Sequence, residues 1–164
     1  MAIRKIRVND DEILRKTSKE VKEVDDKILD LIDDMLETMY DAQGVGLAAP
    51  QIGKLKRIAV IDVSEEADSP IVLINPEILE TDGEQKGDEG CLSVPGKVGV
   101  VTRPDYVKVK ALNEDMEEVI YEGTGLLARA FVHEIEHLDG KLYVDFVEGG
   151  LRNVEQAEDD EYED

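Results

Sequence analysis

The chain has 164 residues, 41% of them apolar and 4% aromatic, enough for one compact domain with a core built mainly of Ile, Leu, Val, Ala and Met. Forty acidic against 19 basic residues leave a formal charge of −21, which opposes non-specific attraction to nucleic-acid phosphates and anionic membrane surfaces. No segment approaches the roughly 20 apolar residues that span a bilayer, and the single cysteine, Cys91, excludes an internal disulfide.

The opening MAIRKIRVNDDEI has no apolar run of signal-peptide length behind its positive charges, so a cytoplasmic protein is expected. Between 25 and 42, apolar residues at Ile28, Leu29, Ile32, Met35, Leu36 and Met39 recur at intervals of three and four, predicting a first long helix. Asp25 is its expected N-cap and Gly44 its expected stop. The stretch GVGLAAPQIG at 44–53 reads as a loop, because its glycines, proline and small residues exclude a continuing helix. Its G-x-G-x-x-A string is not a dinucleotide turn, since it follows a helix and runs into Pro50 instead of leaving a strand and opening a helix. Runs rich in β-branched residues at 57–63, 71–79, 100–112 and 117–121 predict antiparallel strands, with 113–115 as a hairpin turn. A second helix is expected over 124–138, closed by Gly140. The end, 155–164, is almost continuously acidic and has too little apolar area to repay ordering.

Both histidines of the chain, His133 and His137, flank Glu134 in HEIEH on that second helix. At a spacing of four they share one face and suit a single metal ion, while the glutamate between them is placed to handle a proton of a water on that ion. The pattern is short and arises by chance, but an apolar helix that buried two unpartnered imidazoles would lose stability. Catalytic sites of this kind usually have three protein ligands. No histidine follows His137, and the acidic residues beyond it are mostly tail. A lone cysteine is often a small buried hydrophobe. Cys91, however, follows the polar turn QKGDEG and precedes Leu-Ser-Val-Pro, where a loop enters a strand, and its thiolate would complete a Cys-His-His site.

Three motifs, GVGLAAPQ at 44–51, EGCLS at 89–93 and HEIEHLDG at 133–140, occur in the order in which the peptide deformylase family presents them, and the chain resembles that family from end to end. The resemblance implies that Cys91, His133 and His137 hold one divalent metal, with Glu134 as proton carrier and not as ligand. It assigns stabilisation of the developing formyl oxyanion to the Gln51 side chain and the Leu92 backbone N–H. An extended substrate would pair with Val45, Gly46 and Gly90 and drop its methionine side chain near Val45, Leu126, Arg129 and Ala130. Ordinary packing is the alternative role for Leu126 and Ala130, and Arg129 would line the pocket with its stem while turning its charge to water. A thiolate donor suits ferrous iron, expected natively, as well as Zn2+, Ni2+ or Co2+.

The implied activity is removal of the N-formyl group from the N-terminal methionine of newly made proteins. Formyl-methionyl nascent polypeptides would be the partners, with a transient ribosome contact, no direct nucleic-acid or membrane binding, and a monomeric state. The family usually has glutamine immediately before the first histidine and aspartate immediately before the second, where this chain has Val132 and Glu136. Its acidic end also departs from the basic helix by which some relatives dock on the ribosome. The expected fold is α+β, with antiparallel sheets surrounding the helix that carries the HExxH motif and the N-terminal helix packed outside. A single catalytic domain is expected over 1–150 and a disordered acidic tail over 151–164. Two rival functions are an endopeptidase built on the same helical motif and a catalytically silent, acidic binding module on the same scaffold.

Overall fold

The apolar spacing over 25–42 becomes helix α1 (Asp26–Asp41) in the computed structural model, which describes residues 2–154. Asp25 caps it, its side chain accepting a hydrogen bond from the Ile28 N–H. The buried stripe differs slightly from the expected one, with Leu31 inside and Leu29 exposed. The left-handed residue after the helix is Gln43 (φ 58) and not Gly44. Gly44 answers another demand, because a Cβ there would lie 2.6 Å from Leu92 Cδ1.

Five strands form the larger sheet, β1 (Gly46–Ala48), β2 (Ile58–Ile61), β3 (Ile71–Asp82), β6 (Tyr106–Leu112) and β7 (Glu118–Thr124), in that spatial order and all antiparallel. A second sheet holds β4 (Gln85–Cys91), β5 (Val94–Arg103) and β8 (Glu148–Asn153), with β5 central. Alternation along β2 shows how the large sheet divides the core. Ile58 and Val60 face α1 with Met35 and Met39, while Ala59 and Ile61 join Phe131, Ile135 and Leu138 on the other side. Those last three belong to helix α2 (Gly125–Leu138), which contacts strands of both sheets. The fold is the expected α+β class with antiparallel sheets.

Four expectations change. The run 100–112 is two strands in two different sheets, because Pro104 has no N–H for the ladder and the chain turns at Asp105. The polar stretch containing QKGDEG is not a turn but strand β4, whose alternating exposure explains its polar residues. Part of the first loop pairs as β1, fully buried, before a 3-10 turn over Ala49–Ile52. Ordered chain also continues past position 150, since Arg152 and Asn153 pair with Val98 and Lys97. The acidic stretch 155–164 lies outside the described residues.

Gly140 closes α2 in the left-handed region (φ +75), and a Cβ there would lie 2.4 Å from the Arg15 carbonyl oxygen. Gly140→Ala is therefore expected to cost at least about 1–2 kcal/mol from backbone conformation, with the clash in addition, read as a lower urea midpoint. An unchanged midpoint would mean that the segment around Arg15 yields freely.

Candidate metal centre

Helix α2 runs through the apolar core with one polar face, and one turn of helix brings His133 and His137 together on it. His137 Nε2 lies 3.2 Å from His133 Nε2 and 3.2 Å from Cys91 Sγ. The three donor atoms fall within 4.8 Å of one another. Donors bound to one tetrahedral ion at ~2.0–2.3 Å stand roughly 3.3–3.6 Å apart, so the spacing fits a shared cation. Cys91 reaches this point from the end of β4, where it pairs with Val94 across a tight reversal. Its sulfur receives hydrogen bonds from the Ser93 N–H at 3.4 Å and Gln51 Nε2 at 3.5 Å.

The electrostatics call for positive charge at the same point. Burial by itself would lower the His133 pKa, but the charge of Glu134 and the hydrogen bonds to Cys91 and Glu89 push it well above the usual imidazole value. Burial and the charge of His133 drive His137 well below it. Two imidazoles and a sulfur thus crowd around a place for one cation, and the donor set is one that soft or borderline divalent ions favour.

His133 is oriented from behind. Its Nδ1 lies 2.5 Å from Glu89 Oε1, which leaves Nε2 to face the donor cluster. Glu89 is 5% exposed. Burial would raise its pKa, yet hydrogen bonds from His133 and Arg103 hold the carboxyl at about 2. Arg103 grips both oxygens, Nε to Oε2 at 3.1 Å and Nη2 to Oε1 at 2.7 Å, and its remaining nitrogen bonds Glu136. Arg129 Nη1 donates to Glu89 Oε2 at 2.7 Å and to the Val101 carbonyl. This corrects the expectation that Arg129 turns its charge to water. It is 7% exposed and faces inward, because a buried carboxylate needs compensating cations. Tyr143 stacks on the His133 ring with centroids 6.0 Å apart.

Glu134 is 4% exposed and its Oε1 has no hydrogen-bond partner among the described residues. Burial pushes its carboxyl up to about 7. The first loop leaves room for it only because residue 46 is glycine, since a Cβ there would lie 2.4 Å from Glu134 Oε2. The Gln51 amide is fixed from both ends, Oε1 accepting from the Ala48 N–H at 2.9 Å and Nε2 donating to Ser93 Oγ at 3.0 Å.

A cleft of about 440 Å3 opens over Cys91, His133 and Glu134. Gln51, Leu92, Val45, Gly46, Gly90, Leu126, Arg129 and Ala130 all line it, whereas His137 lies beneath. Val45 and Leu126 are exposed at its rim, and Ala130 is buried in its wall. Sequence reasoning passed over Glu89, although it stands in EGCLS, along with Arg103 and Tyr143. Only the alternation of β4 and β5 hinted that Glu89 and Arg103 point inward. Of the two departures, Val132 joins the apolar core and Glu136 pairs with Arg103.

The sequence model of the polypeptide deformylase family matches residues 3–152. A peptide deformylase of Lachnoclostridium phytofermentans is 64% identical over 163 residues, covering 99% of this chain and 100% of that protein. One from Agathobacter rectalis is 65% identical over 154 residues, covering 94% and 96%. Among solved structures, a peptide deformylase from Legionella pneumophila superposes with a TM-score of 0.87 at 49% identity, covering 90% of this chain and 88% of that one. A peptide deformylase from Synechococcus elongatus in complex with actinonin gives 0.84 at 43%, covering 88% and 78%.

Replacing Glu89 by glutamine removes the charge that both arginines and His133 share. Metal affinity should fall about 10- to 100-fold in chelator competition, and stability by roughly 3–5 kcal/mol in urea. Affinity equal to that of the unaltered protein would mean that His133 is oriented without Glu89.

Proposed function

The chain belongs to the polypeptide deformylase family, and on that premise we propose how its residues remove the N-formyl group from the N-terminal methionine of newly synthesised polypeptides. The observation that carries the reading is the convergence of Cys91 Sγ, His133 Nε2 and His137 Nε2 beside a buried carboxyl at the floor of an open cleft.

Cys91, His133 and His137 hold one divalent cation, ferrous iron natively with Zn2+, Ni2+ or Co2+ as substitutes, a choice supported by the thiolate donor. Bound there, the ion supplies a Lewis acid that brings water towards a neutral pKa and polarises the formyl carbonyl. Glu134 accepts the proton that water gives up as its oxygen bonds to the formyl carbon. Burial raises the affinity of the Glu134 carboxyl for that proton. As the C–N bond breaks, Glu134 returns the proton to the leaving amine, and formate and a free methionine amine result. Gln51 Nε2 and the Leu92 N–H stabilise the oxyanion that forms between those steps. The Gln51 amide is oriented by the bond its Oε1 accepts from Ala48, and Nε2 exchanges its long contact with Cys91 Sγ for the oxyanion.

The substrate lies extended along Val45, Gly46 and Gly90, with its methionine side chain among Val45, Leu126 and Ala130, the wall behind them held by Arg129. A single catalytic domain carries the site and works as a cytoplasmic monomer, meeting formylated chains through transient contact with the ribosome.

Anaerobically metal-loaded protein should release one formate per formyl-methionyl peptide and leave internal amide bonds intact. Glu134→Gln should keep the metal by elemental analysis but lose about 10²- to 10⁴-fold in kcat, and Cys91→Ala should lose the metal. Internal cleavage without formate would favour the endopeptidase reading and reject this one.

A further inference from the structure

The amino-terminal segment joins the two stretches of chain on which the proposed oxyanion donors stand. Residues 2–9 are mostly exposed, yet hydrogen bonds fix them at both ends. Buried polar groups of α1 moor the outer end, Asp34 Oδ1 accepting from the Ala2 N–H at 2.7 Å and Thr38 Oγ1 from the Arg4 N–H at 2.9 Å. Arg4 also grips Asp34 through Nε and Nη2, both at 2.7 Å. The inner end runs into the 3-10 turn Glu12–Arg15, which Asp11 caps and in which Leu14 is fully buried.

Between those anchors the strap bonds each donor stretch through its own backbone. The Arg7 N–H donates to the Gln51 carbonyl at 2.6 Å, and the Asn9 N–H donates to the Ser93 carbonyl at 2.7 Å. Those two partners are themselves joined, since Gln51 Nε2 donates to Ser93 Oγ at 3.0 Å, and both are buried. Ser93 follows Leu92 directly and bonds the Cys91 sulfur through its N–H. Asn9 lies in the left-handed region, at φ 54, where the chain turns from this contact towards Asp11.

We infer that Arg7 and Asn9 are positioning residues for deformylation: their backbone amides fix the Gln51–Ser93 pair, and through it the placement of the Gln51 amide relative to the Leu92 N–H. The inference rests on the deformylase reading. Neither amide touches substrate, and each acts through the residue it holds. Donors stabilise an oxyanion best when they need not move to meet it, and a displacement of about 1 Å can cost on the order of a hundredfold in rate. Breaking one strap contact should therefore lower kcat by about 10- to 100-fold. KM should hold, because the strap bonds none of Val45, Gly46 and Gly90, along which the substrate is proposed to lie.

The experiment measures kcat, KM and bound metal for the full, metal-loaded chain on a formyl-methionyl peptide, together with the NMR signals of the Gln51 side-chain amide. Arg7→Pro removes the N–H and sets a ring carbon against the Gln51 carbonyl, whereas Arg7→Ala gives up the ion pair with Asp11 and keeps the N–H. Asn9→Val is strained at φ 54, whereas Asn9→Gly takes that conformation freely. Arg7→Pro and Asn9→Val should each lose about 10- to 100-fold in kcat, with KM within about twofold, metal retained and the Gln51 amide signals shifted. Arg7→Ala and Asn9→Gly should stay within about twofold of the unaltered protein in kcat. Should Arg7→Pro fail to fold, the Asn9 pair decides. Equal kcat within each pair, or a fall in kcat with the Gln51 signals unmoved, overturns the strap alone. No formate from the unaltered protein rejects the deformylase reading, and the strap's part in it as well.

Discussion

A helix that carries ionisable side chains through an apolar core must have each of their polar atoms satisfied, and this demand organises the centre of the molecule. His133 is met by Glu89, Glu89 by Arg103 and Arg129, and Arg103 in turn by Glu136. Two carboxylates face two guanidiniums and the His133 imidazole, so each member depends on its neighbours. Removing one would leave a charge unpaired where water does not reach it. Among the described residues, the buried side-chain atoms of α2 that no hydrogen bond meets are Glu134 Oε1, Glu136 Oε2 and His137 Nδ1. Glu134 Oε1 is the one that the proposed chemistry uses, beside the cluster of Cys91 Sγ and the two facing imidazole nitrogens.

The site sits at the seam between the two sheets because each sheet supplies half of it. The five-stranded sheet gives α2 its apolar floor and, through β1 and the 3-10 turn, presents Gly46 and Gln51. The three-stranded sheet brings Glu89, Cys91 and Arg103. Pro104, with no N–H for a ladder, stands where the chain passes from the three-stranded sheet to the five-stranded one. The close approaches at Gly44 and Gly46 hold the first loop against Leu92 and Glu134.

The two histidines, the glutamate between them and the cysteine were legible because their roles depend on residue type and on helical spacing, both local properties. The long helices were legible for the same reason, through a period of three to four. Glu89, Arg103 and Arg129 were not, since a charged residue on a strand or a helix reads as solvent-facing until its partner's position is known. Strand β4 was hidden for a related cause. Its polar composition suits a strand with an open edge, but only pairing with β5 distinguishes that from a turn.

By itself, then, the sequence determined the α+β class and the grouping of Cys91, His133 and His137 as potential metal donors, because donor chemistry and helix periodicity are written in residue identity and spacing. Tertiary structure alone decided that Arg129 points inward, that Glu89 orients His133, and that β8 returns to pair with β5. Each of those facts depends on contacts between segments 40 or more residues apart, and local propensity carries no information about such contacts.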